Sequence, residues 1–183
     1  MCSSDLDGQV VFLFLRGLAK VRSIDAAGRE VVLSVLGPGE LCGELAMLQA
    51  GRRSADVICL TDCELLLLQA GPFQAMVQSE AKLSLALARL LAARLCQLGR
   101  RYLNREASAT TRLLQVLSEL ASRSSPGGTM NAVIPALPQR ELAALAGLAR
   151  ETASRALMAL RRQGLVEQLP GGRLRLLVDE PIA

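Results

Sequence analysis

The segment from Gly43 to Ala55 carries residue types suited to holding an anion. Gly43 lets the backbone approach a ligand closely, and a helical turn beginning near Glu44 offers free N–H groups. Arg53 supplies positive charge, and Ser54 is a further hydrogen-bond donor. The pattern predicts a phosphate-binding site. The alternative is that Arg53 is a surface charge with Glu44 as its ion-pair partner.

A second cluster, Arg150-Glu151-Thr152-Ala153-Ser154-Arg155, occupies the first two turns of a predicted helix. Arginine can donate two hydrogen bonds to guanine O6 and N7, and glutamate can accept one from cytosine N4. The alternative is an exposed face with Glu151 and Arg155 as an i,i+4 pair, worth only a few tenths of a kcal/mol. The turn before this helix, the wing signals after it and the basic surroundings favour DNA binding.

The first cluster lies within a predicted set of short strands. Between Val10 and Leu68, β-branched or leucine-rich runs alternate with turn residues such as Arg16-Gly17 and Gly37-Pro38-Gly39. This spacing predicts a small antiparallel barrel or roll. The five predicted strands are Val10–Leu15, Leu18–Ile24, Val31–Leu36, Ala55–Leu60 and Cys63–Gln69.

A long helix is predicted after Gly71-Pro72, where the apolar period changes to steps of three and four residues. Its stripe continues to about Leu103 and exceeds what one small neighbouring domain can cover. Because the spacing approaches a heptad repeat, we favour a two-helix dimer seam over an ordinary core helix against the roll. The stripe consists of Leu83, Leu87, Leu90, Leu91, Arg94, Leu95 and Leu98.

The second cluster lies in a predicted winged helix-turn-helix. A helix from about Thr110 to Arg123 is followed by a flexible turn at Ser124-Ser125-Pro126-Gly127-Gly128. After a short strand, Ala132–Ile134, one helix opens at Pro138 and ends at Gly147, and a second runs from about Arg150 to Gln163. Two strands around Pro170-Gly171-Gly172 complete the wing.

Composition excludes several classes of protein. The 183 residues allow one ordinary domain or two small ones, and they include no histidine, which excludes Ser-His-Asp and Cys-His catalysis and histidine-ligated zinc or haem. Residues 1–80 have net charge −4, residues 81–107 have +5 and residues 108–183 have +3, so the second half is suited to a polyanion. No apolar stretch is long enough for a membrane span and no signal peptide is evident, which predicts a cytosolic protein.

The five cysteines, Cys2, Cys42, Cys59, Cys63 and Cys96, include no CxxC pair. They argue against a disulfide framework and against a zinc or iron–sulfur centre held by cysteine alone. We favour space-filling thiols over redox sensing.

The second half of the chain resembles the winged helix-turn-helix of the Crp/Fnr family of bacterial transcription regulators. The resemblance rests on the stretch from Pro138-Gln139-Arg140-Glu141-Leu142-Ala143 through the Arg150–Arg155 cluster to Gly164-Leu165-Val166. The first half resembles that family's cyclic-nucleotide-binding β-roll through Gly37-Pro38-Gly39-Glu40, Gly43-Glu44-Leu45-Ala46 and Arg53-Ser54-Ala55. The resemblance implies an α+β fold: a sensor β-roll over residues 1–78, a dimerisation helix over 79–107 and a DNA-binding domain over 108–183.

The resemblance also implies a set of site residues. Glu44 would accept a hydrogen bond from a ribose hydroxyl, Arg53 would pair with the cyclic phosphate of a cAMP-type or cGMP-type effector, and Ser54 would support it. The implied effector-binding residues are Gly43, Glu44, Leu45, Ala46, Arg53, Ser54, Ala55 and Gln97. The implied DNA-binding residues are Gln139, Arg140, Arg150, Glu151, Thr152, Ser154 and Arg155. The implied partners are a second copy of the chain, a palindromic double-stranded DNA site similar to TGTGA or to the TTGA of the Fnr branch, and RNA polymerase as a further candidate.

The sequence departs from the family pattern at several positions. Gln97 and Leu98 stand where the family's cAMP receptors carry hydroxyl residues that read adenine, and Ala149 stands where a serine or threonine would cap the recognition helix. Cys2 alone does not supply the cysteine cluster of the iron–sulfur sensors. The match also begins in the middle of the roll, so we expect either a fragment with Met1–Asp5 as a non-native leader or a roll without its first strands.

Two other hypotheses remain open. The first is a ligand-independent or thiol-redox-responsive regulator with a vestigial nucleotide pocket, in which Cys42, Cys59 or Cys63 carries the signal. The second is a nucleotide-binding regulatory module whose C-terminal helices contact protein and not DNA. An enzyme is not expected, because no nucleophile–base pair or metal-ligand set can be assembled from these residues.

Overall fold

The computed structural model of the protein describes residues 9–49, 53–125 and 131–178. The turn predicted at Pro126-Gly127-Gly128, the leader predicted at Met1–Asp5 and Cys2 lie outside these residues. In chain order the elements are β1 (Val10–Arg16), β2 (Ala19–Ile24), β3 (Glu30–Leu36), β4 (Leu41–Cys42), α1 (Glu44–Leu48), β5 (Asp56–Cys59), β6 (Glu64–Gln69), α2 (Ala70–Ser79), α3 (Ala81–Leu103), α4 (Ala109–Ser124), β7 (Val133–Ile134), α5 (Gln139–Ala146), α6 (Arg150–Arg162), β8 (Val166–Gln168) and β9 (Leu174–Leu176).

The first six strands form a β-roll of two antiparallel three-stranded sheets. One sheet has the order β4-β1-β6 and the other has the order β3-β2-β5. Phe14, Ala19 and Leu36 are buried together in one apolar cluster contributed by both sheets. The predicted antiparallel roll is confirmed, and its two sheets form the walls of a cavity described below.

Two helices follow the roll where the sequence predicted one. Gly71 and Pro72 lie in the first turn of α2, where a proline loses no intrahelical hydrogen bond. Glu80 has extended backbone angles (φ −110°, ψ 100°) and separates α2 from α3. The 23 residues of α3 extend over about 35 Å, long enough to pass the roll and reach the C-terminal domain.

The C-terminal half is a winged helix-turn-helix, as predicted. The helices α4, α5 and α6 pack around a core that includes Leu113, Leu117 and Leu160. Gly147 ends α5 at φ +60°, a conformation that favours glycine and turns the chain towards α6. The wing is a three-stranded antiparallel sheet of order β7-β9-β8.

The winged helix-turn-helix packs directly on the roll. Leu18 and Val35 of the roll belong to the same buried cluster as the core of the C-terminal helices. Lys20 on β2 is only 3% exposed, and its Nζ lies 2.6 Å from Glu30 on β3 and 2.6 Å from Glu141 on α5. Within the three described ranges, none of the helices is both long and apolar enough to cross a membrane.

Candidate functional site

A cavity of about 740 Å³ lies between the roll, α1 and α3. Seven of the eight predicted effector-binding residues line it: Gly43, Glu44, Leu45, Ala46, Arg53, Ser54 and Ala55. Phe12, Phe14 and Val57 of the roll form part of its apolar wall. The structure therefore brings the predicted anion-binding segment into the wall of one cavity.

Gly43 is required by its position. Its φ of +90° lies in the region that favours glycine, and it precedes α1. A Cβ at Gly43 would lie 2.5 Å from Nη1 of Arg53 and 2.8 Å from the carbonyl oxygen of Val10. The absence of a side chain at this residue lets Arg53 lie against the turn.

Arg53 is held by two neighbours on β1. Its Nη2 donates a hydrogen bond to the carbonyl oxygen of Val10 at 2.9 Å, and its guanidinium lies 5.5 Å from the centre of the Phe12 ring. The cation–π contact and the hydrogen bond orient the guanidinium in the cavity wall. Ser54 follows in the same wall.

Glu44 is a buried carboxylate on the cavity wall. It is 1% exposed, and its Oε1 accepts a hydrogen bond from Nη1 of Arg94 on α3. Among the described residues its Oε2 has no hydrogen-bond partner. Burial raises the pKa of Glu44 above its ordinary value, although the nearby Arg94 and Arg53 act in the opposite direction. The arrangement offers a buried acceptor to a hydroxyl or amide donor.

Sequence reasoning did not assign Arg94 to the site, yet Arg94 closes the cavity from α3. Its Nη2 also donates to the carbonyl oxygen of Leu41, so one guanidinium joins Glu44 to β4. The sequence did contain an indication of this role: Arg94 is the one charged residue in the predicted leucine stripe, and a cation on an apolar face needs a buried partner. Apolar residues of α3, Leu91, Leu95 and Leu98, complete this wall.

Gln97 does not line the cavity. Its side chain points to the DNA-binding domain, where its amide donates to Oε1 of Glu119 and its oxygen accepts from Arg123 at 3.5 Å. The structure therefore separates Gln97 from the other seven predicted effector-binding residues.

The predicted DNA-binding residues lie on one exposed surface of α5 and α6. Arg150, Glu151 and Arg155 are exposed at the start of α6, and Thr152 and Ser154 are half-buried beside them. Gln139 and Arg140 are exposed at the start of α5. Over residues 131–178 no ion pair joins Glu151 to Arg155, so the i,i+4 pair weighed above does not occupy these side chains.

The four described cysteines differ in environment. Cys42 is buried in the roll, and Cys59 and Cys96 are exposed. Burial and the neighbouring Cys59 thiol raise the pKa of Cys63 to about 11. The Cys63 thiol donates to the carbonyl oxygens of Leu18 and Thr61, each at 3.3 Å. No group of three or more cysteine, aspartate or glutamate residues within the described ranges could hold a metal ion.

Comparison with known proteins agrees with this architecture. The family described as "Cyclic nucleotide-binding domain" matches residues 3–80, and the "Crp-like helix-turn-helix domain" matches residues 111–180. The chain is 37% identical to the "Cyclic AMP receptor protein" of Thermus thermophilus over 90% of its own length and 74% of that protein's. It is 28% identical to the "CRP-like cAMP-activated global transcriptional regulator" of Mycobacterium tuberculosis, over 96% of this chain and 79% of that one.

A solved structure shares the fold. FixK2 from Bradyrhizobium japonicum matches with a TM-score of 0.79 at 20% identity, over 96% of this chain and 86% of that one. The Mycobacterium tuberculosis relative is named as a transcriptional regulator. The two family matches in this order, joined by α3, and the 37% identical relative show that the chain belongs to the Crp/Fnr family of transcriptional regulators.

Proposed function

We propose that the protein is a homodimeric DNA-binding regulator controlled by a cyclic-nucleotide-type effector in the β-roll. The observation that carries the proposal is the buried carboxylate of Glu44. Its Oε2 has no hydrogen-bond partner in the part of the chain that the structure describes, and Arg53 and Ser54 line the same cavity. A buried acceptor without a partner costs about 1–3 kcal/mol, and a ligand hydroxyl would remove that cost.

The cavity matches the charge pattern of a cyclic nucleotide. Arg53 and Ser54 supply a cation and a hydroxyl donor for a phosphate, and Glu44 supplies an acceptor for a ribose hydroxyl. The apolar residues of α3, Leu91, Leu95 and Leu98, would contact the base. Several relatives carry names that mention cAMP, which supports this ligand class.

Titration calorimetry with cAMP, cGMP and a cyclic dinucleotide tests the effector. We expect heat with at least one cyclic mononucleotide and a 10- to 150-fold weaker affinity for Arg53→Gln, because a charge-assisted hydrogen bond is worth about 1.5–3 kcal/mol. The exposed Arg29→Gln variant on the β2–β3 turn is the matched control. Absence of heat with all three nucleotides would refute this part of the proposal.

The exposed start of α6 is proposed to enter the major groove of DNA. In a symmetric dimer two such helices would contact half-sites about 34 Å apart, so the site would be palindromic. Arg155→Ala should cost about 1–3 kcal/mol and relax the preference at one base pair. Arg162→Ala, in the last turn of α6, is the matched control and should leave base preference unchanged.

Selection of bound sequences from a random DNA pool measures this preference directly. Affinity should also fall as salt rises, because phosphate contacts release counterions. An unchanged sequence preference in Arg155→Ala would contradict the assignment.

The dimer is proposed to form along an outer row of α3. Six exposed residues recur at alternating steps of three and four on a face turned away from the buried Leu87, and Leu95 among them also borders the cavity. Gly99 has open space around its Cβ position in the single chain, so the small residue leaves room for a partner helix. The row consists of Leu85, Ala88, Ala92, Leu95, Gly99 and Tyr102.

This row differs from the leucine stripe predicted from the sequence. Leu83, Leu87 and Leu91 of that stripe pack with the apolar cluster of the roll. Of the predicted stripe, Leu95 and Leu98 are exposed. The first half of the predicted stripe therefore packs on the roll, which is the alternative weighed above, and the proposed dimer interface depends on the outer row instead.

A thiol-responsive regulator is the second candidate, because Cys59 and Cys63 are neighbouring thiols in the roll and Cys59 lines the cavity. Cys59, the more exposed thiol, would attack a low-molecular-weight disulfide and release one thiol. Cys63 would then attack the Cys59 sulfur, form the intramolecular disulfide and release the second thiol, so that the two protein protons leave on the products.

Treatment with oxidised glutathione tests this candidate. Mass spectrometry should show loss of two hydrogens in the wild type and in Cys96→Ser, but not in Cys59→Ser or Cys63→Ser. A change in DNA affinity that follows this disulfide, without response to any nucleotide, would favour the thiol-responsive regulator over the effector-controlled one.

A further inference from the structure

Glu119 on α4 lies where the roll, α3 and the DNA-binding domain meet. Its side chain is 12% exposed and accepts three hydrogen bonds from two other elements, β3 and α3. Oε1 accepts from the backbone N–H of Val35 on β3 at 3.2 Å and from the Gln97 amide on α3. Oε2 accepts from Nη2 of Arg101 on α3 at 2.6 Å.

A second contact joins α4 to the roll beside Glu119. Arg123, one turn further along α4, lies 3.6 Å from Oε1 of Glu119 and 3.1 Å from Oε2 of Glu40. Glu40 in turn accepts from the backbone N–H of Gly37 at 2.7 Å. The carboxylate of Glu119 is thus held by two arginines, an amide and a backbone N–H.

Three polar residues of α3 form one row along its inner face. Arg94, Gln97 and Arg101 are spaced by three and four residues, so they lie above one another on the helix. Arg94 contacts Glu44 in the cavity, whereas Gln97 and Arg101 contact Glu119. Arg101 also donates to the carbonyl oxygen of Leu145 on α5 at 3.3 Å.

This row connects the cavity to the helix-turn-helix through one rigid helix. An effector that engages Glu44 changes the environment of Arg94, and any shift or rotation of α3 that results also moves Gln97 and Arg101. Their common partner is Glu119, and Arg101 also contacts the end of α5. We propose that Glu119 is the positioning residue that couples the effector cavity to the orientation of the DNA-binding domain.

This inference rests on the proposed effector control and adds the residue through which that control passes. Glu119 touches neither the cavity nor the predicted DNA-binding face, so its removal should leave both binding sites intact. The quantity that it affects is the coupling factor, defined as the DNA affinity with saturating cAMP divided by the DNA affinity without it. Coupling factors of about 5- to 150-fold are typical.

Glu119→Gln tests the inference by removing the charge with little change in shape. We expect the cAMP affinity without DNA to stay within about threefold of the wild type and the coupling factor to fall at least fivefold. By linkage, the effect of DNA on cAMP affinity should fall by the same factor, which provides an independent measurement. Asp25→Asn, on the exposed β2–β3 turn, is the matched acid-to-amide control and should retain full coupling.

Arg101→Gln approaches the same contact from α3 and serves if Glu119→Gln fails to fold. Loss of coupling in either folded variant supports the inference. A folded variant that retains both binding affinities and the wild-type coupling factor overturns it. A wild-type chain whose DNA affinity responds to none of cAMP, cGMP or a cyclic dinucleotide overturns the proposed effector control as well, so the two failures are distinguishable.

Discussion

Truncation of Leu95 to alanine is expected to weaken self-association by up to about 300-fold. Leu95 lies in the outer row of α3 and is 71% exposed in the single chain. The substitution removes three carbon atoms, and each is worth about 0.8 kcal/mol when it is buried. Burial of the exposed 71% of the side chain in the dimer would therefore contribute about 1.7 kcal/mol per chain. A two-fold symmetric dimer buries the residue twice, which gives about 3.4 kcal/mol.

Sedimentation over a concentration series, without nucleotide, measures the dissociation constant directly. The matched control is Leu67→Ala on β6, a leucine that is 61% exposed on the roll and away from α3. It should leave the dissociation constant unchanged. A Leu95→Ala dissociation constant within threefold of the wild type, or an equal effect of Leu67→Ala, would refute the outer row as the interface.

Three further predictions concern the roll and its cavity. In Glu44→Gln the cAMP affinity should not change with pH in the mildly acidic range. In the wild type, calorimetry should show the cAMP affinity falling as pH is lowered, because protonation of the Glu44 carboxylate removes the charged acceptor. Because the pKa of Glu44 is raised in the folded chain, its contribution to stability is present at low pH and is lost as pH rises through that pKa. Over this pH range, urea unfolding should show the free energy of unfolding of Glu44→Gln rising relative to that of the wild type. Lys20→Met should lower the free energy of unfolding by about 1–3 kcal/mol in urea at pH 7, because Glu30 and Glu141 each lose a 2.6 Å ion pair and keep only 3.5 Å contacts with arginines. Burial alone would raise the pKa of Glu30, but the charges of Lys20 and Arg22 outweigh burial and lower that pKa. The stability lost in Lys20→Met should therefore shrink as the pH falls through the pKa of Glu30. Gly43→Ala should lose at least tenfold in cAMP affinity by calorimetry, because its Cβ would displace Arg53, whereas Gly28→Ala on an open turn should not affect binding.

The fold could be predicted from the sequence because its signals are local. Turn residues such as Gly37-Pro38-Gly39 separate the strand-forming runs, and the observed β3 (Glu30–Leu36) ends at this turn. Gly147 interrupts an apolar period of helical type and marks the end of α5. Each signal depends on the conformation of a few neighbouring residues, so no long-range contact was needed.

The division between α2 and α3 was not predicted, because no strong local signal marks it. Glu80 is an ordinary helix-forming residue, yet it adopts extended angles between the two helices. Phe73 and Val77 of α2 and Leu87 of α3 pack in one apolar cluster, which requires the chain to change direction at this point. Tertiary packing therefore outweighs the local preference of this residue.

The cavity was predicted in part for a similar reason. Gly43, Glu44 and Arg53 lie in one short segment, where residue type and spacing indicate the chemistry. Arg94 and Gln97 lie about 50 residues further along, and only the three-dimensional path of α3 shows which of them faces the cavity. Gln97 was assigned to the effector on its position in the family pattern, whereas Glu119 holds it outside the cavity.

The position of α3 explains why one helix carries so many separate contacts. The first half of its inner face is apolar and packs on the roll through Leu83, Leu87 and Leu91. The second half of that face is polar and contacts Glu44 and Glu119. If the outer row joins a second chain, any motion of α3 changes three environments at once: the cavity, the dimer seam and the base of the DNA-binding domain. In the proposed dimer, a shift of α3 on effector binding would alter the relative placement of the two α6 helices, and that placement would decide which half-site spacing the dimer could bind.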